Sequence, residues 1–235
     1  MSLPTPMPMP MPIPSIPSIQ SIPLRPRALL LDFDGVIVES VTIKIDAFSD
    51  VYAEEPPEHH AVIEHYQRVH GGVGRTLKFR HFERLFGREP DDERVEYLSN
   101  EYAKRVYEAV VSCPYVDGAE DFLRAVHGKS NMHVISGTPH DELVDICRRR
   151  GIAHFFTSIH GSPETKRDTF RHIVAGYAYE PSTLLAIGDA TTECDAAREL
   201  GVAFLGVVAD PALNPFGADV PVVTNLVGLA SRLGF

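Results

Sequence analysis

Leu29-Leu30-Leu31-Asp32-Phe33-Asp34-Gly35-Val36-Ile37 is the stretch on which the fold turns. An apolar run of strand character ends in two carboxylates spaced two residues apart, followed by a glycine. Side chains alternate along a strand, so Asp32 and Asp34 share one side of the chain end while Phe33 turns to the packed side. Acids at the end of a buried strand are unfavourable unless hydrogen-bonded, paired or coordinating a metal. Gly35 allows a sharp turn and close approach of other groups. Taken alone, the pair fits an acidic turn as well as it fits a site.

Working outward, the chain behind this strand splits into two patterns. Residues 39–113 read as almost wholly helical. Pro56-Pro57 breaks the first helix, Glu58 to His70 forms a second, Arg75 to Phe86 a third and Pro90 to Val111 a fourth. Phe79, Phe82 and Phe86 keep helical spacing and predict a core stripe. Gly71-Gly72-Val73-Gly74 between two of these helices reads as a turn or hinge.

Past Pro114 helices and strands alternate. An amphipathic helix over 117–127 precedes the strand Met132-His133-Val134-Ile135, which ends in Ser136-Gly137-Thr138. Pro139 suits a first helical position with Thr138 as its N-cap. Asp141 and Glu142 in that helix's first turn, and Arg148-Arg149-Arg150 in its last, match the macrodipole, and Gly151 stops it. A weaker strand at Ser158-Ile159-His160 leads to Lys166 and a helix to about Tyr177. Leu184 to Ile187 is a buried strand ending in Gly188-Asp189. A helix to Leu200 and the strand Val202 to Val208 follow. This alternation predicts an α/β fold, a doubly wound parallel sheet with helices on both faces. The helical block is a second, small inserted domain. The expected organisation is 28–38 and 114–235 as the α/β core, with 39–113 as the insert.

Residues 1–27, rich in Met-Pro and Ser-Ile-Pro repeats, predict a disordered tail, because repeated proline removes donors and favours extended chain. They lack the basic start and proline-free apolar segment of a secretory signal. The 235 residues are 44% hydrophobic and 23% charged, ordinary for a globular protein, and carry a formal charge of −10. That balance disfavours nucleic acid as a partner. No apolar run approaches the ~20 residues that cross a membrane. Three cysteines without CxxC or zinc spacing argue against a disulfide framework and suit a cytoplasmic location. The eleven histidines show no ligand spacing.

In open α/β sheets the ligand site lies beyond the carboxyl ends of the strands. Asp32, Asp34, Ser136, Thr138, Lys166 and Asp189 all fall there. Each has an ordinary structural explanation singly; together they are hard to explain as caps. After Asp189, residues Glu193, Ala196, Ala197 and Leu200 share one helical face. At ~100° per residue Asp195 lies about 200° from Glu193 and faces out, so Glu193 is the acid that points inward.

Four segments in order, Asp32-Phe33-Asp34-Gly35-Val36, Ser136-Gly137-Thr138, Lys166 and Gly188-Asp189-Ala190-Thr191-Thr192-Glu193, resemble the signature motifs of the haloacid dehalogenase-like hydrolase superfamily. The helical insert resembles the cap of its phosphoglycolate phosphatase and β-phosphoglucomutase-like branch. The resemblance implies a phosphatase acting on a small phosphorylated metabolite, such as a sugar phosphate. Asp32 would be the nucleophile and Asp34 the general acid and base. Mg²⁺ would sit on Asp32, the Asp34 backbone carbonyl and Asp189, with Glu193 behind. Ser136, Gly137 and Lys166 would bind the phosphoryl oxygens. Arg75 and Lys78, at the start of a helix after the glycine turn, would meet the rest of the substrate. Departures from the common pattern are Arg167 in place of proline, Ala190 in place of serine and Glu193 in place of aspartate. Alternatives with the same motifs are a phosphomutase and a non-catalytic binding module. Dehalogenase and phosphonatase chemistry are disfavoured, because those relatives lack an acid at the place of Asp34.

Overall fold

The computed structural model describes residues 22–235. Most of the expected tail, residues 1–21, lies outside the described residues. Its end is tied to the core. The Arg25 amide donates to the Leu233 carbonyl at 2.7 Å and the Arg27 amide to Thr183 at 2.9 Å, while Ser130 Oγ donates to the Pro26 carbonyl at 2.7 Å.

Elements follow in the order β1 (Ala28–Asp32), α1 (Val41–Val51), α2 (Pro57–Val69), α3 (Arg75–Leu85), α4 (Asp92–Ser112), α5 (Ala119–Val126), β2 (Asn131–Pro139), α6 (His140–Arg149), β3 (Ser158–Ser162), α7 (Lys166–Gly176), β4 (Leu184–Gly188), α8 (Thr191–Leu200), β5 (Ala203–Val207), β6 (Val222–Val223) and α9 (Leu229–Arg232). The strands form one sheet in the order β3-β2-β1-β4-β5-β6, and every pairing is parallel. The chain builds β1, β2 and β3 towards one edge, then returns to place β4 on the other side of β1. The strand order therefore reverses beside β1, which is where a doubly wound sheet opens a crevice.

Strand alternation explains why β1 is apolar throughout. Leu29, Leu31 and Phe33 join the core cluster that also holds Phe48, Phe79 and Phe82 of the helical segment. Ala28 and Leu30 join the opposite cluster with Phe170, Ile173 and Ala186. Of the phenylalanine stripe, Phe79 and Phe82 are fully buried, and Phe86 is half-buried and stacks on Phe82 with centroids 6.1 Å apart.

Two local expectations are corrected. Thr138 does not cap α6: β2 continues through Pro139, which occupies the N-cap in extended conformation with no side-chain cap bond. The Thr138 hydroxyl instead accepts from the Lys44 ammonium at 2.7 Å. A sixth strand, β6, is two residues long, too short for periodicity to reveal.

The segments that lead into and out of the helical insert run side by side. The Glu39 amide donates to Pro114 at 3.0 Å and the Val116 amide to Ile37 at 3.1 Å, with a bridge between Val38 and Tyr115. At the end of α4, Arg150 Nη1 donates to the carbonyls of Val110, Val111 and Cys113, each at 2.9 Å. The last residue of the arginine triplet thus straps down the exit of the insert, and Arg149 pairs with Glu108 of α4 at 2.6 Å. All three cysteines are free and buried. No helix among the described residues is long and apolar enough to cross a membrane.

His133, wholly buried in β2, contacts Ser158 Oγ at 2.6 Å and the Tyr179 hydroxyl at 3.1 Å. Burial, helped by nearby His160, pushes its imidazole down to about 4. An unfolded chain takes up that proton near pH 6.5, so this contribution to stability is complete above 6.5 and is lost as pH falls towards 4. The loss is on the order of 3 kcal/mol. Urea unfolding at pH 7.5 and 4.5 should show a smaller drop for His133→Gln than for the parent chain.

Candidate active site

Asp32 is the last residue of β1, and its Oδ1 accepts the Phe33 amide at 2.7 Å. Lys166 opens α7 and reaches back under the strand ends; its ammonium lies 2.9 Å from Asp32 Oδ1 and also contacts Glu193 Oε1. Oxygens of Asp32, Asp189 and Glu193 all fall within 4.8 Å of one another. Gly35 makes this crowding possible. It sits at φ +72, and a Cβ there would meet Asp189 Oδ2 at 2.4 Å. Gly188 is needed in the same way, since a Cβ would strike the Glu193 side chain at 2.8 Å.

The charge balance of this cluster is uneven. Three carboxyl groups face one ammonium; with all three ionised the cluster would carry two uncompensated negative charges, the charge that one divalent cation balances. Burial and the Asp32 charge hold the Asp189 carboxyl well above its usual range. A cluster of hard oxygen donors in that state fits a cation such as Mg²⁺, which is bound through few carboxylates.

Asp34 faces a different environment. Its Oδ2 accepts from Lys44 at 2.6 Å and Ser136 at 3.0 Å, and its Oδ1 accepts from Ser40 at 2.5 Å. Burial pushes this carboxyl up, but the charge and hydrogen bond of Lys44, with Ser40 and Ser136, outweigh it and hold the group below its usual range. The two acids of the opening motif thus differ: Asp32 belongs to the carboxylate cluster, Asp34 to a hydroxyl and ammonium cage.

Above them, the same cleft is lined by Gly137 and Thr138 of β2, Arg75 and Lys78 of α3, and Lys44 of α1. Ser136 of β2 is buried next to Gly137, and its hydroxyl donates to Asp34 at 3.0 Å. Arg75 pairs with Glu142 of α6 at 2.8 Å. Lys78 is buried beside Gln67. Asp195, as expected, is exposed while Glu193 is buried. The glycine turn packs onto the strand ends. A Cβ on Gly72 would lie 2.0 Å from Thr192 Oγ1 and 2.8 Å from Glu193 Oε1. One on Gly137 would lie 3.1 Å from the Gly72 carbonyl.

A family model for haloacid dehalogenase-like hydrolases matches residues 26–201, about three quarters of the 235 residues. The chain belongs to this family. Among curated relatives of the hydrolase, a phosphoglycolate phosphatase of Synechococcus elongatus is 21% identical over 184 residues, 77% of this chain and 83% of that one. Solved structures of similar fold include CbbY of Rhodobacter sphaeroides, in complex with xylulose-(1,5)-bisphosphate. It has a TM-score of 0.69 at 17% identity, over 87% of this chain and 96% of that one. A candidate β-phosphoglucomutase of Thermotoga maritima has a TM-score of 0.62 at 17% identity, over 88% and 98%.

Lys44 and Glu142 are the site residues that sequence reasoning missed. Lys44 sits in the stripe Val41, Lys44, Ile45, Phe48, spaced i, i+3, i+4 and i+7 along α1, so a lysine on an inward face was the available signal. Glu142 was read as a macrodipole acid, and its Arg75 partner lies 67 residues away.

Proposed function

We propose that the hydrolase is a phosphoric monoester phosphatase acting on a small phosphorylated metabolite, with residues 39–113 serving as a cap over the cleft. The observation that carries this reading is the cluster at the end of β1: Asp32 touching Lys166 and gathered with Asp189 and Glu193 beside a cleft that α1 and α3 help to line. The phosphatase relative supports it.

An Asp32 oxygen forms a bond to phosphorus as the ester P–O bond breaks, splitting hydrolysis into two easier steps. Asp34 gives its proton to the departing alkoxide oxygen. Water then attacks phosphorus, Asp34 takes the water proton, and the Asp32–phosphorus bond breaks to release phosphate. Lys44 favours the ionised form of Asp34, so the acid role needs its affinity for a proton to rise. A phosphate dianion arriving beside it does that. Lys166, the Gly137 backbone and Ser136 meet the phosphoryl oxygens, where fixed donors stabilise developing charge. A Mg²⁺ ion held by Asp32, Asp189 and the Asp34 carbonyl, with Glu193 behind, would supply positive charge to those oxygens.

Phosphate release should be assayed over a library of phosphorylated metabolites with and without Mg²⁺. Release that appears with Mg²⁺ and vanishes on adding a chelator is the expected result. No release from any ester, despite tight Mg²⁺-dependent binding of fluoroberyllate, would point to a binding module.

A further inference from the structure

The cleft carries four cationic side chains, and their counter-ions differ. Lys44 is paired with Asp34, Arg75 with Glu142, and Lys166 with Asp32 and Glu193. Lys78 has no carboxylate partner among the described residues. The residue is 4% exposed, and its ammonium is held by two neutral acceptors, the Gln67 amide oxygen at 2.5 Å and the Gly71 carbonyl at 3.2 Å. The Phe48 ring lies 5.5 Å from it. Next to it, the Gln67 amide nitrogen is buried and makes no hydrogen bond. Both Gln67 and Lys78 line the same cleft as Asp32 and Asp34.

An ammonium has three donors, so one of Lys78's is unused, and the Gln67 NH₂ adds two more. Buried donors without acceptors are unfavourable, and a buried charge without a counter-ion more so. Both defects lie in one wall of the cleft, on α2 and α3, across from the strand ends that would take the transferred phosphoryl group. We propose that Lys78 and Gln67 form a receptor for a second anionic group, a carboxylate or a phosphate, carried on the leaving group of the substrate.

This inference rests on the phosphatase reading of the cleft. It separates two residues that look equivalent in sequence. Arg75 already has its carboxylate and shapes the wall, whereas Lys78 waits for one from the ligand. Burial and the neighbouring Lys44 push the Lys78 ammonium down to about 7, against Asp34 and with Lys166. An incoming anion reverses that shift, so the ligand binds with proton uptake near neutral pH.

The test compares kcat/KM in Mg²⁺ for ethyl phosphate, 2-phosphoglycolate and ethylene glycol bisphosphate, which differ in the charge of the tail. The parent enzyme should prefer one or both charged esters by about 100-fold, the size expected for a desolvated ion pair. The ester preferred tells carboxylate from phosphate. Gln67→Glu places a carboxylate beside Lys78 with almost no change of shape, giving the ammonium an internal counter-ion. The preference should then fall to within about threefold, mainly through KM. Equal kcat/KM for all three esters in the parent, or a preference that survives both Gln67→Glu and Lys78→Met, overturns the proposal. If the parent hydrolyses none of the three, turnover does not report on the receptor, and the phosphatase reading is judged by the metabolite library alone. Calorimetric binding of 2-phosphoglycolate and ethyl phosphate to Asp32→Asn, with and without Gln67→Glu, then decides the receptor. A Kd difference abolished by Gln67→Glu supports it; equal Kd values overturn it.

Discussion

Asp32→Asn is expected to lower phosphate release by about 10⁴- to 10⁶-fold, the range seen when one member of a catalytic unit is removed. The amide keeps the shape and can still accept the Phe33 amide, but its oxygen does not attack phosphorus. Folding should survive, and the charge balance says why. With every acid ionised, the substitution leaves Asp189 and Glu193 facing Lys166, one uncompensated negative charge in place of two. It also removes the neighbour whose charge helps to hold Asp189 above its usual range. In chelator, the variant should therefore melt no lower than the parent, while its affinity for Mg²⁺ is weaker. Activity above about a hundredth of the parent's would remove Asp32 from the nucleophile role.

Asp34→Asn should reveal its effect through the leaving group. An alkyl ester departs as a poor alkoxide that needs a proton, so its hydrolysis should slow by about 10²- to 10⁴-fold. A p-nitrophenyl ester departs without help, so its first step is spared. Water attack still lacks a base, and a phosphorylated protein should accumulate, visible by mass spectrometry as one added phosphoryl group. Equal slowing of both esters, with no covalent species, would show that Asp34 acts on position and not on protons. The cage around it makes this comparison informative. Lys44, Ser40 and Ser136 remain to hold the amide in place, so geometry changes less than proton affinity.

Much of this was legible from the chain because it is local. The apolar run before Asp32 has to be a buried strand, and four strand ends bearing polar residues have to meet at one edge of a parallel sheet. Glu193 and Asp195 were told apart by helical phase alone, and their burial follows that phase. What was not legible depends on partners distant in sequence. Thr138 fits an N-cap by local rules, yet Lys44, 94 residues away, holds its hydroxyl. Arg75 and Lys78 occupy one face of α3, and what distinguishes them is a carboxylate on α6 that reaches the first and not the second. The two-residue β6 forms because β5 offers it an edge, a cause absent from its own residues.

The paired segments at the root of the helical insert have a mechanical consequence. Two chains hydrogen-bonded side by side, as 37–39 and 114–116 are, bend across their shared plane but resist shear and twist. Arg150 stiffens the exit by gripping three carbonyls at once. Any motion of the insert over the sheet would thereby be reduced to nearly a single degree of freedom, a swing about that ribbon. A joint of this kind would close on the same registration each time, so that any swing of the insert would return Lys78 to its place opposite Asp32 without a search.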